Sequence, residues 1–246
     1  MERIIVSENK RFLMYESGQP FFWLGDTAWL LFQKLSTEEA GKYIKDRQGK
    51  GFNVIQSVII HQATDRNVYG EPALYDGSIT KTFVSGSPDL KKPDSYWNHI
   101  DRVLDMAESA GLYVGLLPVW GSIAENGILN MDNVVQYGRW LAEHFKNRKN
   151  IIWILGGDTR GDRHYDVWDT LGKTIKTHNP DSLMTFHPFG RTQSSEWFHE
   201  VSWLDFNMFQ SGHRRYDQKV KAEEEDDERL WIGQDNWRYV VNDYRK

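Results

Sequence analysis

Ile151-Ile152-Trp153-Ile154-Leu155-Gly156-Gly157-Asp158-Thr159 is an apolar run that ends abruptly in two glycines and a carboxylate. An unbroken apolar run of this length, set between helical patterns, reads as a strand buried on both faces, as in a parallel sheet. The glycines let the backbone turn sharply at its end and leave room for a ligand. Asp158 then stands at the carboxyl end of a strand, where α/β folds carry their chemistry. An Asp in this place also serves as a helix N-cap or turn residue, so the residue alone leaves both readings open.

The flanks repeat the same unit. A helix over about 131–148, with Val134, Gly138, Leu141 and Phe145 on one side, delivers the chain to this strand. A helix over 166–178, ended by Asn179-Pro180, leads to a strand over 183–188. Toward the amino end lie strands over 113–120 and 53–60. Between them Asp94 opens a helix with Trp97, Ile100, Val103, Leu104 and Ala107 on one face. Ser36 and Glu39 form a capping-box signature for a helix that stops at Gly51. An apolar strand over 21–25 runs into Asp26, and residues 3–6 and 11–15 read as a hairpin. Residues 61–93 form a loop long enough to be functional. A last strand falls within 203–210, a solvated charged run over 219–229 and a final helix over 236–246.

Strand–helix alternation means a parallel sheet. Six strand ends carry a polar or aromatic residue: Asp26, His61, Trp120, Asp158, His187 and Gln210. An open doubly wound sheet places its site at one crevice, whereas in a barrel every strand feeds one mouth. The expected fold is therefore α/β, a (β/α)₈ TIM-barrel type. Residues 1–20 form a hairpin closing the barrel bottom, and 21–246 form the barrel, with about six of eight βα units present.

Bulk chemistry narrows the function. A net charge of −5 argues against nucleic acid, which needs a basic face. The absence of cysteine excludes disulfides and thiolate chemistry. No run reaches the length of a membrane span, and no apolar signal core follows Met1, so the expected location is cytoplasmic as written, or secreted or periplasmic if the amino end is incomplete. The eight histidines do not fall at metal-ligand spacing, and no dinucleotide fingerprint, P-loop or serine-hydrolase elbow occurs; no metal or cofactor is expected. Eleven Trp within an aromatic content of 14% fit a sugar site, since aromatic faces cover the CH faces of sugars, although most such residues fill cores.

At these strand ends the chain resembles the apiosidase-like glycoside hydrolases. The matching stretches are Phe22-Trp23-Leu24-Gly25-Asp26-Thr27-Ala28-Trp29, Gly51-Phe52-Asn53-Val54-Ile55-Gln56, Trp153-Ile154-Leu155-Gly156-Gly157-Asp158 and Gly212-His213-Arg214-Arg215-Tyr216. The resemblance implies a (β/α)₈ barrel, removal of apiose-type sugars from pectin side chains of the rhamnogalacturonan II kind, and Asp158 as the catalytic acid/base. It also implies a second catalytic carboxylate, a Glu after the seventh strand in an Asp-Gly-Glu-Pro-like stretch. No such stretch occurs here, so that residue is expected beyond Lys246, and the unclosed barrel edges are expected to favour self-association.

Cleaving a glycosidic bond takes a proton donor and a second carboxylate. Within the chain Asp26, Asp205 and Asp235 are candidate partners for Asp158, though Asp26 suits a sugar-hydroxyl ligand or a group orienting the site, and the other two suit caps. Trp29 and Trp120 are candidates for stacking on sugar. Gln56, His187 and Gln210 are candidates for binding hydroxyls. His61 ranks below them because the long loop after it could carry it away, and His213, Arg214 and Arg215 suit loop structure equally well. The alternative to an enzyme is a non-catalytic carbohydrate-binding remnant that lacks the nucleophile.

Overall fold

The computed structural model describes residues 1–81 and 92–211. A short antiparallel hairpin, β1 (Ile4–Val6) and β2 (Leu13–Tyr15), comes first. Five parallel strands follow: β3 (Gly25–Thr27), β4 (Val54–Ile60), β5 (Tyr113–Val119), β6 (Ile151–Thr159) and β7 (Leu183–Pro188). The helices between them are α1 (Leu31–Lys34), α2 (Thr37–Gly49), α3 (Tyr96–Ser109), α4 (Gly121–Glu125), α5 (Val134–His144) and α6 (Tyr165–His178). A two-residue strand β8 (Thr192–Gln193), a turn of helix α7 (Ser195–Phe198) and β9 (Phe209–Gln210) complete the described residues, with β8 and β9 paired antiparallel.

Strand order in the sheet is strand order in the chain. Crossovers of one hand between successive neighbours put every helix on the same face. The uncovered face must then be buried by curling the sheet on itself. Ring contacts show the curl. Trp29, just past β3, meets His187 of β7 at 5.4 Å, and Trp23, just before β3, lies 6.0 Å from Phe206 beyond β7. A flat sheet would hold β3 and β7 about 19 Å apart, at roughly 4.8 Å per strand.

Alternation along the strands sorts the core into shells. Ile55 and Ile59 of β4, Val114 and Leu116 of β5, Trp153 and Leu155 of β6, and Met184 and Phe186 of β7 face outward into the helices. Val54, Tyr113, Ile152 and Leu183 face inward as a bottom layer, with Ile4 and Phe21 packed beneath them. Val58, Leu117 and Ile154 form the layer above, roofed by Trp29, Trp120 and Met208. Gly115 sits between the layers because a Cβ there would lie 2.8 Å from Ile154 and 3.2 Å from Gln56.

The capping box at α2 forms with both halves, Glu39 N–H to Ser36 Oγ at 3.3 Å and Ser36 N–H to the Glu39 carboxylate at 2.9 Å. α3 is capped by Ser95 rather than by Asp94, which instead pairs with Arg102. The first parallel strand begins later than the apolar run 21–25 indicates. Phe21 N–H bonds the Leu13 carbonyl, so this segment first extends the hairpin; Phe22 is 79% exposed, and parallel pairing starts only at Leu24 and Gly25. The strand expected within 203–210 is regular only at Phe209–Gln210. Before that, the segment runs beside β7 on Asp205 N–H to the Met184 carbonyl and on Thr185 Oγ1 to the Phe206 carbonyl. The charged run 219–229, the helix expected over 236–246 and part of the loop 61–93 lie outside the described residues. Among the described residues no helix is long and apolar enough to cross a membrane.

Candidate active site

The end of β6 is a bulge. Gly156 pairs with His187 and Thr159 with Pro188, so Gly157 and Asp158 are pushed out of the ladder. Three successive residues have positive φ: Gly156 at 86°, Gly157 at 113° and Asp158 at 48°. For Asp158 this left-handed backbone is strained, a feature that recurs at functional sites. The neighbours leave no side-chain room at the two glycines. A Cβ on Gly156 would lie 2.6 Å from the His187 carbonyl oxygen, and one on Gly157 would lie 2.7 Å from the Trp120 ring.

The Asp158 side chain stands half-exposed at 47%. Gln210 Nε2 donates to its Oδ1 at 2.7 Å, and among the described residues its Oδ2 has no bond. Its backbone N–H donates to Nδ1 of His187 at 3.3 Å. Because Nδ1 accepts, the neutral ring carries its proton on Nε2. His187 is only 7% exposed, and burial lowers its pKa, while the nearby Asp158 charge pulls the other way.

A sign follows for stability. A histidine with a folded pKa below its unfolded value of about 6.5 stabilises the fold fully above that pH and loses the contribution as pH falls below it. Denaturant midpoints at pH 7.5 and pH 5.5 should therefore fall further for the wild type than for His187→Gln. An equal fall in both proteins contradicts the assignment.

Aromatic rings cluster beside the bulge that carries Asp158. Trp29 meets Trp120 at 5.2 Å and His187 at 5.4 Å; Trp120 lies 5.9 Å from His187 and 5.2 Å from His61. The structure thus brings together Asp158, His187, Gln210, Trp29 and Trp120 at the carboxyl ends of the strands, and His61 with them. It also puts a carboxylate here that the sequence did not single out. Glu125 of α4 accepts a 2.9 Å bond from the hydroxyl of Thr159, next to Asp158. A five-residue helix has too little periodicity to announce itself.

Two residues expected at the mouth lie elsewhere. Asp26 is the second residue of β3 and pairs in register with Ile55, whose side chain faces the helices. Its carboxylate accepts from the Tyr43 hydroxyl at 2.8 Å and pairs with Arg47 at 2.7 Å, both on α2. Burial, with Asp26 adding to it, pushes the Tyr43 pKa up to about 12. Asp26 therefore anchors α2 to the sheet. Asp26→Ala should cost about 1 kcal/mol, as a partly exposed pair with one hydrogen bond does, and leave sugar affinity unchanged; a thermal melt and a binding titration read the two effects separately. Gln56 faces the barrel interior two residues below Val58, beneath the aromatic wall.

The other candidate partner, Asp205, accepts from Met184 N–H and Lys176, each at 2.7 Å, at the amino end of β7 and so at the opposite end of the barrel from Asp158. Burial raises its pKa and Lys176 opposes the rise. Asp235 and the stretch 212–216 lie outside the described residues. Among the described residues no group of three or more His, Asp or Glu could hold a metal ion.

Comparison with known proteins agrees with this geometry. The family model described as apiosidase-like, catalytic domain, matches residues 7–246. A solved glycoside hydrolase is 41% identical and superposes with a TM-score of 0.84 over 98% of this chain and 53% of its own. A glycoside hydrolase family 5 protein from Bacteroides vulgatus is also 41% identical, with a TM-score of 0.84 over 97% of this chain and 50% of its own. The chain spans about half the length of these two structures. A β-1,4-D-mannanase from Cryptopygus antarcticus, 11% identical with a TM-score of 0.55 over 87% of this chain and 66% of its own, shares the fold alone. No curated protein matches the chain. The chain belongs to the apiosidase-like catalytic domain family.

Proposed function

We propose that this chain carries the acid side of a glycosidase that removes a terminal apiose-type sugar from pectin side chains of the rhamnogalacturonan II kind, with Asp158 as proton donor. The observation that carries the reading is the bulge at the end of β6, which sets Asp158 beside the cluster of His187, Trp29 and Trp120. Gln210 occupies Oδ1 and leaves Oδ2 to face a glycosidic oxygen. In the forward step the Asp158 proton passes to that oxygen as its bond to the anomeric carbon breaks. His187, with its proton on Nε2, offers that hydrogen to a sugar hydroxyl, and the tryptophans cover the CH face of the ring.

The second carboxylate must approach the opposite side of the anomeric carbon. Asp26 and Asp205 are both committed elsewhere, and Glu125 is held by the Thr159 hydroxyl on the same strand end as Asp158, so we assign it to residues outside those described. The same observation favours a second reading, in which the chain binds carbohydrate without cleaving it. Incubation with rhamnogalacturonan II oligosaccharides separates the two. Released apiose supports the enzyme; saturable binding with no release supports the binding module; neither outcome contradicts both readings.

A further inference from the structure

The turn after β4 contains a polar arrangement that the chemistry of Asp158 does not use. Asp65 Oδ2 accepts the backbone N–H of His61 at 2.6 Å and that of Gln62 at 3.0 Å. The same oxygen accepts from Gln33 Nε2 at 3.3 Å. Gln33, buried in α1, also donates to the Tyr96 hydroxyl at 2.7 Å, and Tyr96, buried in α3, donates in turn to the Ile59 carbonyl. Two helices and the end of β4 thus converge on one carboxylate. Burying polar groups costs free energy, and a linked set of hydrogen bonds fixes geometry.

What this arrangement fixes is the direction of the chain at His61. The His61 ring lies 5.2 Å from Trp120, tilted by 35°, and is half-buried. Among the described residues neither of its ring nitrogens has a hydrogen-bond partner, whereas Nδ1 of His187 is already taken by the Asp158 N–H. Trp120 is also the ring that rests on Gly157, so His61 stands on the far side of the wall that begins at the bulge. A neutral imidazole has one donor and one acceptor, pointing away from each other in the ring plane, so one of its nitrogens can bond a sugar hydroxyl.

We propose that His61 is a hydroxyl-binding residue of this mouth, and that Asp65 is the positioning residue that holds it over Trp120. The proposal rests on the mouth being a sugar site. It makes His61 a determinant of which sugar is accepted, because it recognises a hydroxyl beyond the one reached by His187.

The test titrates D-apiose into the wild type and into His61→Ala, His61→Gln, Asp65→Ala and Asp65→Asn. Long-range imidazole NMR spectra follow the histidine rings, and turnover of an aryl apioside is measured in parallel. His61→Ala should weaken apiose binding about tenfold, as the loss of one hydrogen bond to a neutral group does. KM should rise more than kcat falls, and the melting temperature should stay near that of the wild type. His61→Gln and Asp65→Asn should recover part of the loss, and Asp65→Ala should add little to His61→Ala. Apiose should shift the His61 resonances. If His61→Ala binds as the wild type does and the His61 resonances of the wild type stay still, while the wild type binds apiose and turns over the apioside, this proposal is overturned and the function stands. A wild type that neither binds apiose nor cleaves the apioside overturns both.

Discussion

Asp158→Asn should reduce kcat on a pectin-type oligosaccharide by about 10²- to 10⁴-fold, the usual contribution of a positioned general acid. The substitution keeps size and shape, and an amide can still meet Gln210 across the 2.7 Å contact. Sugar affinity should therefore change little, and the loss should appear in kcat. The defect should also depend on the leaving group. An aryl glycoside whose phenol departs readily needs little protonation, so the variant should cleave it far better than it cleaves a sugar–sugar bond. Steady-state kinetics on both substrates read this out. Equal losses on the two substrates, or none, would contradict a proton-donor role.

Gly156→Ala should be the most damaging small substitution at the site. Two costs add. At a φ of 86° an L side chain is strained, typically by about 1–3 kcal/mol. The new Cβ would also lie 2.6 Å from the His187 carbonyl oxygen, a backbone atom held in β7, and 2.8 Å from the Phe186 ring. Overpacking of that kind costs a further 1–3 kcal/mol or so. A loss of about 2–6 kcal/mol should lower the melting temperature by roughly 5–20 °C, and the bulge should no longer present Asp158. Gly157→Ala makes a useful contrast. Its φ of 113° is strained too, but its Cβ would meet the Trp120 ring at 2.7 Å, and a side chain at the mouth can swing away. Stability should fall less there, and sugar binding should fall more, because the ring that moves is part of the wall. If the two variants melt together and bind alike, the packing argument fails.

The parts of the fold that could be read from the sequence are those in which one local pattern carries the information. β4 to β7 are buried on both faces, so their apolar runs stand out, and the helices between them are amphipathic and carry recognisable stops. Two glycines before a carboxylate indicate a sharp turn at the end of β6, and the structure forms it as a bulge. Asp26 misled for a physical reason. The apolar run 21–25 does not enter the sheet as one strand, since Phe21 belongs to the hairpin packing and Phe22 is left in solvent. Side chains alternate with a period of two, so where pairing begins decides which face each residue takes. Pairing from Gly25 to Val54 turns Asp26 toward α2 and away from the mouth.

The placement of His61 beside Trp120 was hidden for a different reason. The residue that holds it, Asp65, is itself held by Gln33 of α1 beside Tyr96 of α3, and no short stretch of sequence records that convergence. The strand expected within 203–210 is regular only at its end because side chains and scattered backbone bonds, rather than a ladder, bind residues 203–208 to β7.

The most direct test is a crystal structure of Asp158→Asn with an apiose-containing oligosaccharide bound. The expected result puts the glycosidic oxygen about 2.6–3.2 Å from the residue 158 amide, the reach of a catalytic proton transfer, with the sugar ring against Trp29 and Trp120. An oligosaccharide seated away from the carboxyl ends of β4 to β7, or one whose scissile oxygen points away from residue 158, would contradict the assignment of Asp158 as the acid.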